Sequence, residues 1–460
     1  MTDLVGRPLD RLAARLPGRV STPGDDDYAA ATAIWSKPVG RMPRVVIHCQ
    51  TAEDVRSAIR AARDGGLSLS VRGGGHDWAG RALCDGVVID LSGMRSVAVA
   101  SDETATVAGG ARTVDVLAAT DPLGLAPVTG TCSTVGVAGL TLGGGYGPLI
   151  GRFGLALDNL EAAEVVLADG RVVLADHENE EELFWALRGG GGNFGVVTAM
   201  RIKLHRLPSV RSGMLIYPFS EAKAVLERSA DIANSAPDEL TVQVGVVHGP
   251  DGSPVVLINP TWSGEPEAAE ARTAPFSKLG ALLMGANETS SYRQSLTVFD
   301  PFIVNGRRNF MDSSWIPVLD SSGVDAFVAA GESAVSAGCA LYTHEFKGAA
   351  ARVPEEATAF GLRREHVVVE ILAAYVDRSD PIEEERHRQW TRRTRDSFNA
   401  TALPGGYPNY LVSDDDPDRI TRSYGGNAAR LIKAKRRYDP DNVFRSTIPL
   451  PVASAMAGAS

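Results

Sequence analysis

The N-terminal part of the chain alternates short apolar runs with helical stripes and glycine-rich turns. Residues 44–49 read RVVIHC and predict a buried strand, and Thr51 followed by acidic residues predicts the start of a helix. This helix would end at Gly65-Gly66, and LSLSV at 67–71 predicts the next strand. The pattern therefore predicts a compact β-α-β unit that ends at a glycine-rich loop.

The same alternation of short strands, helices and turns continues to about Pro208. Strands are predicted at 87–91 and 104–110, and a short helix near 113–120. Alternation around Asp169-Gly170 predicts a β-hairpin, and a helix over 180–187 precedes another strand. We therefore interpret residues 1–208 as one layered unit.

From residue 209 the strand patterns become longer, as in TVQVGVV, SPVVLIN and HVVVEILAAYV, and a charged helix is predicted over 382–398. The pattern indicates a second domain with an antiparallel sheet over 209–412. A final helix should stop before Asp439-Pro440. The fold class predicted for the whole chain is α+β.

Composition narrows the class of protein. Of the 460 residues, 44% are hydrophobic and 22% charged, which is typical of a globular protein rather than a disordered one. The net charge is −10 without a basic stripe, so nucleic-acid binding is not expected. No apolar run reaches the ~18 residues of a membrane span, and no signal peptide is recognisable, so we expect a cytoplasmic protein without membrane association. Nothing in the sequence indicates the oligomeric state.

Several common chemistries lack their motifs. The four cysteines lie far apart, which disfavours a disulfide scaffold or a CxxC zinc site, and HExxH, GxSxG and GxxxxGK[ST] are all absent. The sequence Gly190 to Gly195 matches GxGxxG, but a helix precedes it and a strand follows. This order is the reverse of a dinucleotide fingerprint, so we reject a Rossmann site and keep the stretch as a turn that could contact a cofactor.

Glycine clusters carry the clearest functional signal. The chain has 48 glycines, about a tenth of its residues against an ordinary ~7%. Arg72-Gly73-Gly74-Gly75-His76-Asp77 follows a strand, and successive N–H groups there could form a nest for a pyrophosphate. A second cluster runs from Gly130 to Gly147 and contains Cys132. Each cluster alone is compatible with ordinary loop packing, whereas the combination is far less common.

Together these segments resemble the berberine bridge enzyme-like branch of the FAD-linked oxidases. The resemblance rests on PGDDDY and AIW near the start, TAEDVRSAIRAARDGGLSLSVRGGGHDWAG, the Cys132 segment, GGYPNY, and RRYDPDNVF near the end, and it spans nearly the whole chain. It implies a two-lobed FAD-binding domain of the PCMH type, whose N-terminal part is 1–208. It also implies a substrate domain at 209–412 and a segment at 413–460 that returns to the FAD domain.

The resemblance also implies how the cofactor is held. In the family, the histidine in the position of His76 bonds to the 8α methyl of the flavin, and the cysteine in the position of Cys132 bonds to ring carbon C6. A bicovalent FAD is therefore expected. The other residues assigned to the cofactor are Arg72, Gly73, Gly74, Gly75, Asp77, Val135, Gly136, Gly139, Gly143, Gly195, Val197 and Asn409.

Four residues are candidates for the base. Tyr407-Pro408-Asn409-Tyr410 resembles the YxNY motif of the family, and Tyr410 is the first choice, with Tyr407 and Tyr146 as possible aids. A tyrosine with a pKa near ~10 is a poor base at neutral pH, so a cation, a polarised neighbour or the flavin would have to lower that pKa. Glu370 lies out of phase with its apolar neighbours and could face the cleft or pair with a helix.

The implied reaction is oxidation of a small molecule, with dioxygen as the electron acceptor. The substrate could be a sugar or a secondary-metabolite alcohol or lactol, and C–N oxidation, oxidative cyclisation or non-redox ligand binding on a flavin remain open. Family members with valine at the position of Val135 tend to react with oxygen, which favours an oxidase. The chain reads Ala359-Phe360-Gly361-Leu362-Arg363 where many bacterial relatives read AFPHR, and we expect this change to alter how the loop lines the substrate cleft.

Overall fold

Three β-sheets follow one another along the chain in the computed structural model, which describes residues 7–37, 40–376 and 380–451. The first contains β1 Val20–Ser21, β2 Val45–His48, β3 Leu69–Arg72 and β4 Val87–Asp90. The second contains β5 Val97–Val99, β6 Thr104–Ala108, β7 Leu125–Pro127, β8 Leu160–Val166, β9 Val172–Ala175 and β10 Val196–Arg206. The third contains β11 Val210–Ser212, β12 Leu215–Pro218, β13 Leu240–His248, β14 Pro254–Trp262, β15 Glu288–Ser290, β16 Arg307–Ile316, β17 Gly338–Phe346 and β18 His366–Val376.

Helices cover the outer faces of these sheets. They are α1 Arg7–Arg15, α2 Asp26–Thr32, α3 Ala52–Asp64, α4 Thr113–Thr120, α5 Val137–Gly143, α6 Ile150–Phe153, α7 Glu181–Gly190, α8 Ala222–Asn234, α9 Pro266–Thr273, α10 Tyr292–Thr297, α11 Ser321–Glu332, α12 Pro381–Asp396, α13 Pro417–Ser423 and α14 Ala428–Tyr438. Helices and largely antiparallel sheets confirm the predicted α+β class. Among the described residues, no helix combines the length and apolar character that crossing a membrane would require.

The first sheet departs from a simple β-α-β unit. α3 begins with a capping box, in which the Thr51 hydroxyl accepts from the Asp54 N–H, and it joins β2 to β3. These two strands are not neighbours, because the later strand β4 lies between them and pairs in parallel with both. Local pattern predicted the strands and helix, whereas the position of β4 depends on long-range pairing.

The second sheet is antiparallel and built on β10. This strand pairs with β6, β7 and β8, and the predicted hairpin is formed by β8 and β9. α5, α7 and α14 pack on the sheet and bury a continuous apolar core with it. The chain then passes from β10 to the third sheet between Arg206 and Val210.

All pairings in the third sheet are antiparallel, in the order β15-β11-β14-β13-β17-β18-β16, with β12 beside β14. α8, α11 and α12 cover one face, where alternate residues such as Val242, Val244 and Ile371 are buried. The other face borders a cavity. Strand alternation therefore separates core residues from residues that face the cavity.

The C-terminal segment lies against the first two sheets. α14 packs on α7, and Phe444 enters the core beside α3 and the first sheet. The Lys435 ammonium donates to the carbonyls of Asn193 and Phe444, at 2.8 and 2.9 Å, and pairs with Asp439. Asn193 Nδ2 donates to the carbonyl of Ile448 at 2.9 Å. The predicted domain limits at 208 and 412 stay a prediction.

Candidate active site

A cavity of about 1500 Å³ lies between the glycine-rich loops and the third sheet. The loop after β3, the segment around α5 and the turn between α7 and β10 form one wall. The face of the third sheet forms the opposite wall, and residues 407–410 reach the cavity between the two. The residues predicted to bind a cofactor or to act as the base line this cavity, apart from Arg72 and Gly143.

Close backbone contact joins the two glycine clusters. A Cβ atom on Gly74 would lie 2.4 Å from the Cα of Gly136, and one on Gly136 would lie 2.7 Å from the Gly74 nitrogen. Gly75 has a φ of +75°, in the left-handed region that favours glycine. This contact brings the loop of His76 and the segment of Cys132 to the same cavity.

Arg72 and Gly143 lie behind the wall rather than on it. Arg72 Nη1 pairs with the Asp90 carboxylate at 3.0 Å, because β3 and β4 are parallel neighbours and place the two residues side by side. A Cβ on Gly143 would lie 2.1 Å from Asn409 Oδ1, so this glycine makes room for the Asn409 side chain. Both residues support the site from behind.

Asp77 and Asn409 organise the loops that carry them. The Asp77 carboxylate accepts from the N–H groups of Ala79 and Ala82. Asn409 Nδ2 donates to the hydroxyl oxygen of Tyr407 at 2.9 Å. The backbone carbonyl of Asn409 accepts from the side chain of Trp78, so the loop after His76 is tied to the 407–410 segment.

His76 is held in a neutral state. Its ring stacks on that of Trp35, with centroids 4.4 Å apart and planes 6° apart. Burial lowers the pKa of His76 to about 4, although the nearby Glu370 and Asp77 act in the opposite direction. A neutral imidazole has an unprotonated nitrogen, which is the form that can act as a nucleophile.

Cys132 is a free cysteine that lines the cavity. Burial, with a further contribution from Glu370, raises the pKa of its thiol to about 12. The side chains around it therefore favour the thiol over the thiolate.

Tyr410, Glu370 and His344 form a hydrogen-bonded chain on the cavity wall. The Tyr410 hydroxyl donates to Glu370 Oε2 at 2.7 Å, and Nε2 of His344 lies 3.1 Å from the same oxygen. Since a carboxylate only accepts, His344 is assigned Nε2–H as its donor. Glu370 thus faces the cavity, one of the two placements the sequence allowed.

Glu370 changes the expected roles of the tyrosines. Burial raises the pKa of Tyr410 well above its ordinary value, and Glu370, Tyr407 and Cys132 raise it further. The neighbour of Tyr410 is thus a carboxylate and not the cation that would activate it as a base. Glu370 is therefore better placed to accept a proton, with Tyr410 as its hydrogen-bond donor.

Tyr407 and Tyr146 have different partners. The Tyr407 oxygen accepts from the Gly145 N–H and from Asn409 Nδ2, both at 2.9 Å, while burial raises the pKa of Tyr407 to about 12. The Tyr146 hydroxyl lies 2.8 Å from Nε2 of His366, whose other nitrogen donates to the Arg364 carbonyl. Burial lowers the pKa of His366 to about 3, so its Nε2 accepts and the Tyr146 proton is already engaged.

The remaining predicted residues fall into two groups. Val135, Gly136 and Gly139 line the cavity near Cys132, and Gly195 and Val197 line it near the α7–β10 turn. The expectation that the 359–363 loop lines the cleft is wrong, because this loop packs behind Tyr146 and does not itself reach the cavity. The Phe360 N–H donates to the Arg188 carbonyl, and the buried Arg363 pairs with Asp158 at 2.8 Å.

Sequence reasoning missed Trp35, Gln243, Tyr342 and His344, all of which line the cavity. A signal existed for two of them. In β17, which reads GCALYTHEF, the alternation places Tyr342 and His344 on the same face, opposite the buried Leu341.

Known proteins resemble this chain along most of its length. The family described as "FAD binding domain" matches residues 43–176, and "Berberine and berberine like" matches residues 406–451. The FAD-linked oxidoreductase srdI of Neurospora crassa is 30% identical over 461 residues, covering 94% of this chain and 90% of that protein. This chain belongs to the berberine bridge enzyme-like family of FAD-linked oxidoreductases. The resemblance found in the sequence is thereby confirmed.

Two further relatives are informative. (R)-6-hydroxynicotine oxidase of Paenarthrobacter nicotinovorans is 34% identical over 282 residues, covering 60% of this chain and 62% of that protein. The crystal structure of 6-hydroxy-D-nicotine oxidase from Arthrobacter nicotinovorans is 28% identical, with a TM-score of 0.84, covering 95% of this chain and 98% of that one. The PCMH-type fold predicted for the chain is thus confirmed.

The residues on the loop wall fit an FAD. Glycines allow a flat cofactor to approach the backbone closely, and those on this wall include Gly73, Gly74, Gly130, Gly139, Gly191 and Gly192. His76 supplies a neutral nitrogen and Cys132 a thiol on the same cavity. The cavity is also continuous from these loops to the third sheet, so a cofactor held on one wall would face a substrate on the other.

Proposed function

We propose that this protein is an FAD-dependent oxidase that oxidises a carbon bearing a hydroxyl group in a small molecule. The observation that carries the proposal is the contact of Tyr410 with Glu370, at 2.7 Å, on the wall opposite His76 and Cys132. When bound, FAD supplies a two-electron acceptor that takes hydride from the substrate carbon and delivers the electrons to dioxygen, giving hydrogen peroxide.

The chain holds the cofactor, in this proposal, through bonds from His76 and Cys132. The low pKa of His76 keeps its imidazole available for bonding, and stacking on Trp35 fixes the ring plane. Burial and Glu370 raise the pKa of the Cys132 thiol, so its surroundings do not activate it as a nucleophile. We therefore expect attachment through His76 to depend less on the cofactor's own reactivity than attachment through Cys132.

Glu370 acts as the proton acceptor for the substrate hydroxyl, either directly or through Tyr410. Proton transfer through Tyr410 requires no stable phenolate, since the phenol can pass its proton to Glu370 while accepting one from the substrate. His344 orients the carboxylate by donating to the same oxygen at 3.1 Å. The Gly145 N–H and Asn409 fix Tyr407 at the edge of the Tyr410 ring, with ring centroids 5.0 Å apart.

The choice of dioxygen as acceptor is supported by Val135. This residue lines the cavity in the segment of Cys132. By the family resemblance, valine there leaves more space for oxygen than a bulkier isoleucine. We expect Val135→Ile to slow reoxidation of the reduced enzyme by dioxygen while the reductive step is unchanged, measured by stopped-flow mixing with oxygenated buffer.

A second candidate is C–N oxidation of an amine. It is favoured by the 34% identity to (R)-6-hydroxynicotine oxidase over 282 residues. An amine that binds unprotonated loses hydride without a base, so this reaction would tolerate loss of Glu370. Glu370→Gln therefore separates the two candidates.

The deciding experiment is an anaerobic screen of alcohols, sugars and amines for bleaching of the flavin absorbance, followed by peroxide detection in air. We expect an alcohol to bleach wild-type holoenzyme quickly and Glu370→Gln slowly. Fast bleaching of both proteins by an amine would favour the second candidate. Bleaching by no substrate class would contradict both. Intact mass under denaturing conditions, with mapping of flavin peptides, tests the bonds to His76 and Cys132 separately.

A further inference from the structure

The cavity-facing side chains of β16, β17 and β18 form a surface that we call the floor. The polarity of this floor changes along the strands. Antiparallel pairing places Tyr342 directly beside Glu370 in one row across the sheet. The next row towards the C-terminal end of β18 contains Ala340, Leu372 and Met311. The two rows beyond contain Gly338, Ala374 and Asn309, and then Val376 and Arg307. The first row beyond Glu370 is thus entirely apolar, and each of the two rows after it adds one polar residue, Asn309 and then Arg307.

Most side chains on the sides of this part of the cavity are apolar, and Gln243, His248 and Asp251 are polar exceptions in its lining. β12, β13, β14 and the 299–304 loop line it with Ile216, Val247, Val255, Leu257, Phe299 and Ile303. The floor between these side chains contains the small residues Ala340, Gly338 and Ala374, which leave space for a ligand. The space that extends from Glu370 is therefore an apolar channel with a broad base.

The mouth of this channel carries exposed apolar side chains. Met284 is 65% exposed, Phe302 63% and Val376 66%, and Leu283 and Val304 lie beside the same opening. Large apolar residues exposed together at an opening mark a binding surface more often than chance exposure does. The rim continues the lining of the channel, so one ligand could contact both.

We propose that the substrate is a predominantly apolar, elongated molecule whose oxidised polar group is at one end. This inference rests on the proposed function, because Glu370 defines the end at which oxidation occurs. From Glu370 to Val376 the floor spans six residues of one strand, or about 20 Å at ~3.3 Å per residue. The polar group would meet Glu370 and Tyr342, and the apolar body would lie along Leu372 and leave past Phe302.

An oligosaccharide fits this channel poorly. Its hydroxyl groups would lie against Leu372, Met311 and Val255 without hydrogen-bond partners from those side chains, and burying a hydroxyl unpaired is unfavourable. An apolar chain would gain free energy from each methylene that leaves water. The channel therefore selects against sugar polymers and for hydrocarbon length.

The test uses the holoenzyme with n-butanol, n-octanol, n-dodecanol and n-hexadecanol as apolar probes, and cellobiose, xylobiose and N,N′-diacetylchitobiose as polar probes. Binding is measured by calorimetry in Glu370→Gln, in which turnover is expected to be slow, and flavin bleaching is measured in the wild type. We expect Kd to fall by roughly fourfold for each added methylene. We expect no binding of the disaccharides.

A matched pair of variants tests the rim. Phe302→Ser removes an exposed aromatic ring at the mouth, and Leu174→Ser removes an exposed apolar side chain on β9, outside the cavity. Phe302→Ser should raise the Kd for hexadecanol by about tenfold and leave the Kd for butanol unchanged, because only the longer alcohol reaches the rim. Leu174→Ser should change neither value. Equal effects of Phe302→Ser on the two alcohols would overturn the extended binding mode.

The remaining outcomes distinguish failure of the apolar binding mode from failure of the proposed oxidase function. If affinity rises with chain length but no alcohol bleaches the flavin, the apolar channel stands and the proposed function fails. If disaccharides bleach the flavin and affinity for alcohols does not depend on length, oxidation stands and the apolar substrate is overturned. If Phe302→Ser changes the sedimentation coefficient and not the hexadecanol affinity, the rim contacts a second copy of the chain, which also overturns the inference.

Discussion

The glycine-rich loops and the third sheet form two walls of the same cavity. The two walls expose different groups to it. The loop wall presents mostly backbone, because side chains at positions such as Gly74 and Gly136 would collide. The sheet wall presents one side chain from every second residue of each strand. Substitution on the loop wall should therefore affect whether the cofactor is held, and substitution on the sheet wall should affect what is oxidised and how fast.

The largest effect is expected on the sheet wall, from Glu370→Gln. The amide keeps the shape of the side chain but cannot accept a proton, so the rate of flavin reduction by an alcohol should fall by about a hundredfold to ten-thousandfold. The flavin content should equal that of the wild type. Stopped-flow absorbance under anaerobic conditions measures the first quantity and intact mass the second.

Glu345→Gln is the matched control for this variant. Glu345 is on β17 and does not line the cavity, and its carboxylate accepts from the Val242 N–H. It should leave the reduction rate unchanged. Equal rates for Glu370→Gln and the wild type would remove Glu370 from alcohol oxidation.

Gly74→Ala is a substitution on the loop wall. In contrast to Glu370→Gln, it should lower the flavin content of the protein. Its Cβ would lie 2.4 Å from the Cα of Gly136, and relief of this overlap must separate the two loops. We expect about 1–3 kcal/mol of lost stability and a lower ratio of flavin to protein. Urea denaturation and absorbance spectra measure these two changes.

Gly426→Ala serves as the control, because a Cβ there meets no heavy atom within 4 Å. Its flavin content should match the wild type. If Gly74→Ala binds flavin normally and is slow only in catalysis, the proposed division of labour between the two walls is wrong.

Tyr410→Phe and Tyr146→Phe compare two tyrosines in the same cavity. Tyr410→Phe removes the donor to Glu370 and should slow flavin reduction by about tenfold, with a smaller change in substrate affinity. Tyr146→Phe leaves Nε2 of the buried His366 without its partner, which should cost about 1–3 kcal/mol of stability and little activity. Reduction kinetics and urea denaturation of both variants measure these effects. Interchanged results would make Tyr146 the functional tyrosine.

The smallest effect concerns pH. The folded pKa of His366 is about 3, below the ordinary value of 6.5, so the folded state binds fewer protons than the unfolded state between these values. The free energy of unfolding should therefore decrease as the pH falls from about 6.5 towards about 3. His366→Gln should reduce the slope of this dependence by about one proton, measured by urea denaturation at several pH values. An unchanged slope would mean that His366 is not the group responsible.

Local pattern predicted much of the fold and part of the site. The capping box of α3 and the hairpin of β8 and β9 are encoded within a few residues, and the alternation in β18 indicated that Glu370 leaves the core face. Contacts between distant segments left no such pattern. Glu370 and Tyr410 are 40 residues apart, and their hydrogen bond depends on how the 407–410 segment crosses the sheet.

Arg72 illustrates the same limit. Its position in a glycine-rich loop favoured a cofactor contact. However, β4 places Asp90 beside it, and the Arg72 guanidinium pairs with this carboxylate instead of facing the cavity. The loop at 359–363 was misjudged for a similar reason, since its contacts with Arg188 and Asp158 come from other parts of the chain. In both cases a tertiary partner decided the direction of the side chain.

The return of the C-terminal segment has a consequence for biosynthesis. Phe444, Ser446, Thr447 and Ile448 line the same cavity as His76, so the cofactor wall combines residues that precede the third sheet with residues that follow it. A ribosome releases the latter residues only after the whole third sheet has been made, and contacts of such high sequence separation form slowly. The cofactor wall therefore stays incomplete while the third sheet is made. Truncation before Ile448 would leave the FAD lobe without part of its wall, and the flavin content of such a truncated protein measures this effect.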